Sequence, residues 1–361
     1  MAAPGLGARP GRLSARAAPE AALAAGRFVK LICGAGNQDL AAIEDLCAVY
    51  SLAGVHCIDV AADAAVAAAA RRGMGWAVER GATQPWLMLS LSDGADPHFR
   101  KASFDPTLCP SDCPRPCERV CPALAIGPSG GVLAERCYGC GRCLPACPLG
   151  LIEEQQVLLS PEVVPQLLAS VQPDAVELHT QAGRQEAFAQ RLQRVQASGV
   201  PLQRLAVSCG LERGANAKDG GSAPAAETPL SARELAGELW QRFALVRQYG
   251  LKPLWQLDGR PMSGDVGAGT ARSAVKLLEA LRPWAPPGPL QLAGGTNAST
   301  AALLGANSGA AGVAFGGMAR SLLQPLLLQA EARGGPLRDC PELLEQALSL
   351  TRTLLAPWQS R

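Results

Sequence analysis

From Arg27 onward, short apolar runs alternate with longer amphipathic stretches eight times over, and this alternation most constrains what the chain can fold into. A strand followed by a helix, repeated, lays the strands parallel in one sheet with helices on its faces. The first unit runs through Phe28 to Cys33, turns at Gly34 to Gly36 and enters a helix near Asp39, with Ile43, Leu46, Cys47 and Tyr50 on one face. Further strands are expected at 55–60, 86–90, 175–178, 205–208, 253–257, 290–293 and 312–315. Ser231 and Glu234 form a capping box at the head of a helix over 231–249. Eight such units predict a (β/α)8 barrel, which takes about 250 residues; an open doubly wound α/β sheet is the alternative. A chain of 361 residues has room for one more module.

That module interrupts the alternation after the third strand. Eight of the 13 cysteines fall between Cys109 and Cys147, which marks a metal-binding segment rather than a disulfide framework. The run Cys137-Tyr-Gly-Cys140-Gly-Arg-Cys143-Leu-Pro-Ala-Cys147-Pro148 is C-x2-C-x2-C-x3-C-P, the spacing of bacterial ferredoxins. Three close thiolates reach three irons of a cubane from one loop, and Gly139 and Gly141 permit the tight path. Upstream, Cys109, Cys113, Cys117 and Cys121 follow a C-x3-C-x3-C-x3-C-P variant, in which Pro110, Pro114 and Pro116 forbid a helical stripe of thiols. Two iron–sulfur clusters are therefore expected, [4Fe-4S] in type. The wider upstream gaps leave open a [3Fe-4S] form, or loss of Cys109 or Cys113 as a ligand. Two zinc sites are the other chemistry open to eight thiolates. The pseudo-symmetry of the two quartets argues for ferredoxin-like halves with crossed ligation: Cys109, Cys113, Cys117 and Cys147 on one cluster, Cys121, Cys137, Cys140 and Cys143 on the other. Arg115, Arg119, Arg136 and Arg142, interleaved with these ligands, suit either surface charge or opposition to thiolate charge.

The expected organisation is a disordered tail over 1–26, the first part of the barrel over 27–96, the ferredoxin-like insert over 97–155 and the remainder of the barrel over 156–356. A net charge of +2 gives no field that would gather nucleic acid. No apolar run approaches the roughly 20 residues of a membrane span, and a reducing cytoplasm suits the cysteine usage. Among the other cysteines, Cys33, Cys47, Cys57 and Cys209 read as small buried hydrophobes; Cys209, at a strand end, is the one placed to line the barrel mouth, and Cys340 has no evident partner. The glycines at 294–295 and 316–317 follow the last two strands, where many barrels bind phosphate through backbone amides, and they suit tight turns equally well. The stretch 214–229 reads as a mobile surface loop. His56 and His98 have no acid or nucleophile at a diagnostic spacing; His179, beyond Glu177, is placed to face the barrel mouth, with a structural role the favoured reading. No residue is singled out as catalytic or as a ligand of an organic cofactor.

The segment Val29-Lys-Leu-Ile-Cys-Gly-Ala-Gly-Asn-Gln-Asp39, the double cysteine quartet and the loop Asp258-Gly-Arg-Pro-Met-Ser-Gly-Asp265 together resemble the light-dependent period family of cyanobacteria, over roughly residues 27–356. The resemblance implies an iron–sulfur redox sensor that reports photosynthetic redox state to the circadian clock. It also implies association with the Kai clock proteins and their input kinases. The competing class is an enzyme: a flavin-dependent oxidoreductase whose barrel binds FMN through the Gly294 and Gly316 loops while the clusters relay electrons.

Overall fold

The computed structural model describes residues 11–127, 130–213, 229–260, 267–305 and 307–361. Eight strands form the closed parallel barrel: β1 (Phe28–Gly34), β2 (Cys57–Ala61) and β3 (Trp86–Ser92) precede the insert. The insert carries β4 (Arg100–Ser103) and β5 (Glu153–Gln156), after which β6 (Ala175–His179), β7 (Arg204–Cys209), β8 (Pro253–Asp258), β9 (Leu290–Ala293) and β10 (Ala310–Phe315) complete the ring. The ring runs β1-β10-β9-β8-β7-β6-β3-β2, and all its pairings are parallel. The eight-unit alternation thus gives a closed barrel rather than the open sheet.

The helices are α1 (Gly11–Ala24), α2 (Leu40–Leu52), α3 (Ala64–Val78), the short α4 (Pro116–Arg119) and α5 (Cys143–Ala146) of the insert, α6 (Val164–Val171), α7 (Gln185–Ala197), α8 (Ala232–Gln248), α9 (Ala271–Leu281), α10 (Gly317–Ala332) and α11 (Pro341–Gln359). Local sequence sets their starts. Asp63 caps α3 by accepting from the amides of Ala65 and Val66, and Ser231 and Glu234 close the reciprocal box on α8. Among the described residues no helix is long and apolar enough to cross a membrane.

Because side chains alternate along a strand, each barrel strand sends one set outward and one inward. Outward residues such as Val29, Leu31, Ile58, Val60, Leu87, Leu89, Val176, Leu178, Val207 and Leu257 pack under the helices in one continuous core. The inward set is layered. Phe28, Cys57, Trp86, Met88, Ala175, Ala206 and Leu254 form an apolar floor. Above it lies a polar layer of Lys30, Asp59, Ser90, Glu177, Ser208, Gln256 and Gln291, all buried.

The N-terminal stretch departs from the expected disordered tail. Residues 11–24 are helical, and Ala22 and Leu23 join the floor cluster and close the bottom of the barrel. Glu20 receives both Nε (2.8 Å) and Nη2 (2.7 Å) of Arg204. An Ala-, Gly- and Pro-rich stretch has the composition of a tail, yet among the described side chains Ala22 and Leu23 pack onto the barrel floor. Residues 1–10 and the loop over 214–228 lie outside the described residues, as does the part of the polar loop after β8 over 261–266.

Candidate metal centre and barrel mouth

β4 and β5 pair antiparallel, from Arg100 opposite Gln156 to Ser103 opposite Glu153, so the inserted segment leaves and rejoins the barrel at one place. β3 and β6, which flank it in sequence, are neighbours in the ring. The insert is built twice over. Cys117 on α4 lies four residues before Cys121, Cys143 on α5 lies four residues before Cys147, and each Cys-Pro pair leads to an isoleucine, Ile126 or Ile152, buried in one shared cluster with Cys117 and Cys143.

The thiols fall into two groups. Cys121, Cys137, Cys140 and Cys143 line a single recess, closed by Ala123, Ala125 and Ile126. Burial pushes the Cys143 thiol up to about 12, reinforced by Cys140, Cys137 and Cys121. In the other group, the Cys109 thiol is raised by desolvation and by its hydrogen bond with Cys113. Burial likewise raises Cys117, with Cys147 and Cys113 adding to the effect. Four thiols held this close are unfavourable as thiolates unless a cation neutralises them, and soft sulfur donors suit iron–sulfur or zinc. Backbone amides point at the sulfurs: Ala102 N–H donates to Cys137 Sγ (3.3 Å) and Ala125 N–H to Cys121 Sγ (3.2 Å). Such donors favour the more negative state of a sulfur ligand. Gly139 (φ 74°) and Gly141 (φ 76°) hold left-handed turns against Arg100, and a Cβ there would stand 2.2 Å from Arg100 O and 2.3 Å from Arg100 Nη2.

The first-named recess is the inner one. Tyr138, between Cys137 and Gly139, reaches the C-terminal mouth of the barrel, where Arg320 of α10 lies 4.0 Å over its ring. Arg136 pairs with Glu331 of α10 (2.6 Å) and with Asp39 (3.6 Å), so this arginine clamps the insert to the barrel. Lys101 Nζ donates to Gln38 Oε1 (2.6 Å) and to Ala134 O.

Under the insert the barrel carries a network that the sequence reading did not anticipate. Lys30 Nζ pairs with Glu177 and, at 3.3 Å, with Asp59, all three fully buried. Desolvation disfavours the Lys30 charge, but the two carboxylates overcome it and hold the ammonium above its ordinary range. A lysine so held is no amine nucleophile. Gln256 Nε2 donates to Glu177 Oε1 (2.6 Å) and Ser208 Oγ (3.0 Å). One ammonium serves two carboxylates unequally: Glu177, which also faces His179, stays ionised well below its ordinary range. Burial pushes Asp59 up to about 7 despite Lys30, with Ser90 Oγ donating to it at 2.7 Å.

His179 sits at the top of this network, its Nε2 3.0 Å from Glu177 Oε1. Burial works against its charge, but Glu177 and Asp96 carry it up to about 9. It lines the mouth, the alternative placement expected for it, and those carboxylates favour its charged form. Its ring is 4.8 Å from that of His98, whose Nδ1 is 2.7 Å from Asp96 Oδ1. Asp96, His98 and His179 bring three potential ligand atoms within 4.8 Å of one another. The signal for this centre was present in the sequence as single charged residues, Lys30, Asp59 and Glu177, each inside an otherwise apolar strand.

Cys209 is the small buried hydrophobe expected, but it faces the helix layer rather than the mouth, because it lies in register with the outward-facing Val207, and burial pushes its thiol up to about 12. Cys340 caps α11 and accepts from Arg333 Nη1 at 3.4 Å. Cys33, Cys47 and Cys57 are buried, the first two in the helix-facing core and Cys57 in the floor.

Residues 167–357 match the Light dependent period A C-terminal domain, and residues 109–158 match the LdpA Fe-S cluster-binding domain. The chain is 45% identical over 349 residues, 94% of this chain and 93% of its relative, to Light dependent period A of Synechococcus elongatus. The chain belongs to the light dependent period A family. Its cysteine-rich insert is that family's Fe-S cluster-binding domain, and the gathered thiols serve an iron–sulfur cofactor. Solved barrels resemble it only distantly. A provisionally assigned fructose-1,6-biphosphate aldolase from Coccidioides immitis is 12% identical at a TM-score of 0.43, covering 97% of this chain and 94% of that one. (S)-3-O-geranylgeranylglyceryl phosphate synthase from Thermoplasma acidophilum is 10% identical at 0.41, covering 95% and 98%. The barrel rests on its own strand pairing, not on these likenesses.

Proposed function

We propose that this protein is a cytoplasmic iron–sulfur redox sensor that conveys photosynthetic redox state to the circadian clock and so modulates its period. The observation that carries the reading is the division of eight thiols into an inner group that shares a recess with Tyr138 and an outer group of buried Cys117 with partly exposed Cys109, Cys113 and Cys147. Cys121, Cys137, Cys140 and Cys143 hold the inner cluster; Cys109, Cys113, Cys117 and Cys147 hold the outer one. Each group has four thiols, enough for [4Fe-4S], with [3Fe-4S] the alternative for the more widely spaced outer set. The clusters, when bound, supply one-electron exchange. The chain's own part is to bury the inner thiols, to aim the amides of Ala102 and Ala125 at sulfur, and to lock the cluster loop to α10 through Arg136 and Tyr138. A charge change beside that clamp biases how insert and barrel meet, and differences of about 1–3 kcal/mol suffice for regulation. The Kai proteins and their input kinases are the partners the family resemblance implies; nucleic acid is not among them.

A flavin-dependent oxidoreductase is the second reading, favoured by the Gly294, Gly295 and Gly316 backbone lining the mouth. Anaerobic purification separates the two. The sensor reading predicts about eight irons per chain, iron–sulfur absorption and no stoichiometric flavin. Stoichiometric FMN with turnover of a reduced donor would transfer the function to the enzyme class.

A further inference from the structure

The cavity at the barrel mouth, of about 100 Å³, lies between the polar layer and Tyr138 of the cluster loop. That is several times the space one water needs. Its upper wall carries two guanidinium groups, Arg260 and Arg320, with the imidazoles of His98 and His179 beside them. The carboxylates below are already engaged, Glu177 by Lys30 and Gln256, and Asp258 by Ser208 Oγ. Arg320 is only 7% exposed, and its Nη1 donates to Ile32 O at 2.9 Å. Its Nε–H has no hydrogen-bond partner among the described residues. A buried guanidinium nitrogen without an acceptor is costly, and an anion is the acceptor it suits.

Two backbone features meet the same place. Gly294 (φ 63°) and Gly295 (φ 87°) are consecutive left-handed residues after β9, packed too closely against Arg260 and Thr270 to carry a Cβ. The 16-residue α10 begins at Gly317 without any side-chain cap, and Gly316, Gly317 and Met318 line the cavity. Uncapped amides at a helix start favour negative charge.

We propose that the barrel mouth is a binding site for a small phosphomonoester, its phosphate held between the Gly294–Gly295 turn, the first turn of α10 and Arg320, where it touches the cluster loop through Tyr138. Because Arg320 also covers the Tyr138 ring, a ligand that engages Nε fixes the guanidinium against the residue beside Cys137. Occupancy of the mouth is thereby transmitted to the inner thiol group. The phosphate site does not depend on the sensor reading, since its binding is measurable whatever the partner proteins do.

The test is calorimetric titration of the full, cluster-loaded chain with inorganic phosphate, glycerol phosphate and FMN, together with the electron paramagnetic resonance spectrum of the reduced protein. Submillimolar binding of inorganic phosphate and of glycerol phosphate, with a shift in the inner-cluster lines on binding, is expected. R320Q should weaken both by at least ~10-fold. M318D is the second variant: an acid in the first turn suits the helix but repels an anion, so it should fold and lose binding by a similar factor. No binding to the unaltered protein, binding unchanged in M318D, or binding only when a divalent cation is added would overturn the site; the last would move the anion to a metal at Asp96, His98 and His179. Tight FMN retention alongside phosphate binding would keep the site and identify the flavin as its occupant, which counts against the sensor reading alone.

Discussion

The guanidinium of Arg320, on the first turn of α10, lies 4.0 Å over the ring of Tyr138, the residue between Cys137 and Gly139. This contact joins the last barrel unit to the inner thiol loop, and burial raises the Tyr138 hydroxyl while Arg320 opposes the rise. The insert is thus fastened to the face on which barrels of this kind carry their chemistry. Two of its anchor points, Tyr138 and Arg136, flank a cysteine of the inner group.

Replacing Cys147 by Ser should damage the outer cluster and spare the inner one, although Cys147 follows the inner run in sequence. The Cys117 thiol senses Cys147, whereas Cys143 senses Cys140, Cys137 and Cys121. Electron paramagnetic resonance of the reduced protein checks this. Loss of the inner signal with the outer one intact would mean sequential rather than crossed ligation.

G139A forces a left-handed alanine whose Cβ would stand 2.2 Å from Arg100 O. A left-handed L-residue costs about 1–2 kcal/mol, and the clash adds to it. Inner-cluster iron should be lost on desalting while the barrel's circular dichroism is retained.

K30M leaves Glu177 and Asp59 buried without their ammonium. Breaking a buried pair by removing one partner costs about 3–5 kcal/mol. Denaturant unfolding should show that loss, and the double variant K30M/E177Q should recover part of it. A double variant less stable than K30M would contradict the account of the polar layer.

His179 makes stability depend on pH. Its folded value, about 9, lies above the ordinary value of about 6.5, so its stabilisation is complete below about pH 6.5 and is lost as pH rises through 9. The loss is on the order of 3 kcal/mol. The groups facing it are Glu177 on its own strand, Asp96 and His98 at the junction of barrel and insert and Asp258 on β8. H179N should flatten the stability profile between those two pH values.

The barrel was legible because each strand carries its outward apolar set at alternating positions, as in Val29, Leu31 and Cys33 of β1. The cysteine spacings, with Gly139 and Gly141 between them, made the cofactor class legible too. Three parts were not. Among its described side chains α1 meets the barrel floor with Ala22 and Leu23, too weak a stripe to stand out among alanines. Lys30, Asp59 and Glu177 each look like a lone charge within a strand, and only barrel closure brings them together. The Tyr138–Arg320 contact joins segments with no shared pattern, so its partners are visible only once the insert has docked.

The proposed sensor role requires that cluster oxidation state change how the protein meets the Kai proteins and their input kinases. The direct measurement is the affinity of the cluster-loaded chain for the Kai proteins and an input kinase, taken anaerobically with the clusters oxidised and then reduced. The account predicts at least a ~5-fold difference for one partner, the lower end of typical coupling free energies, abolished when Cys137 is replaced by Ser. Equal affinity in both states for every partner would contradict it.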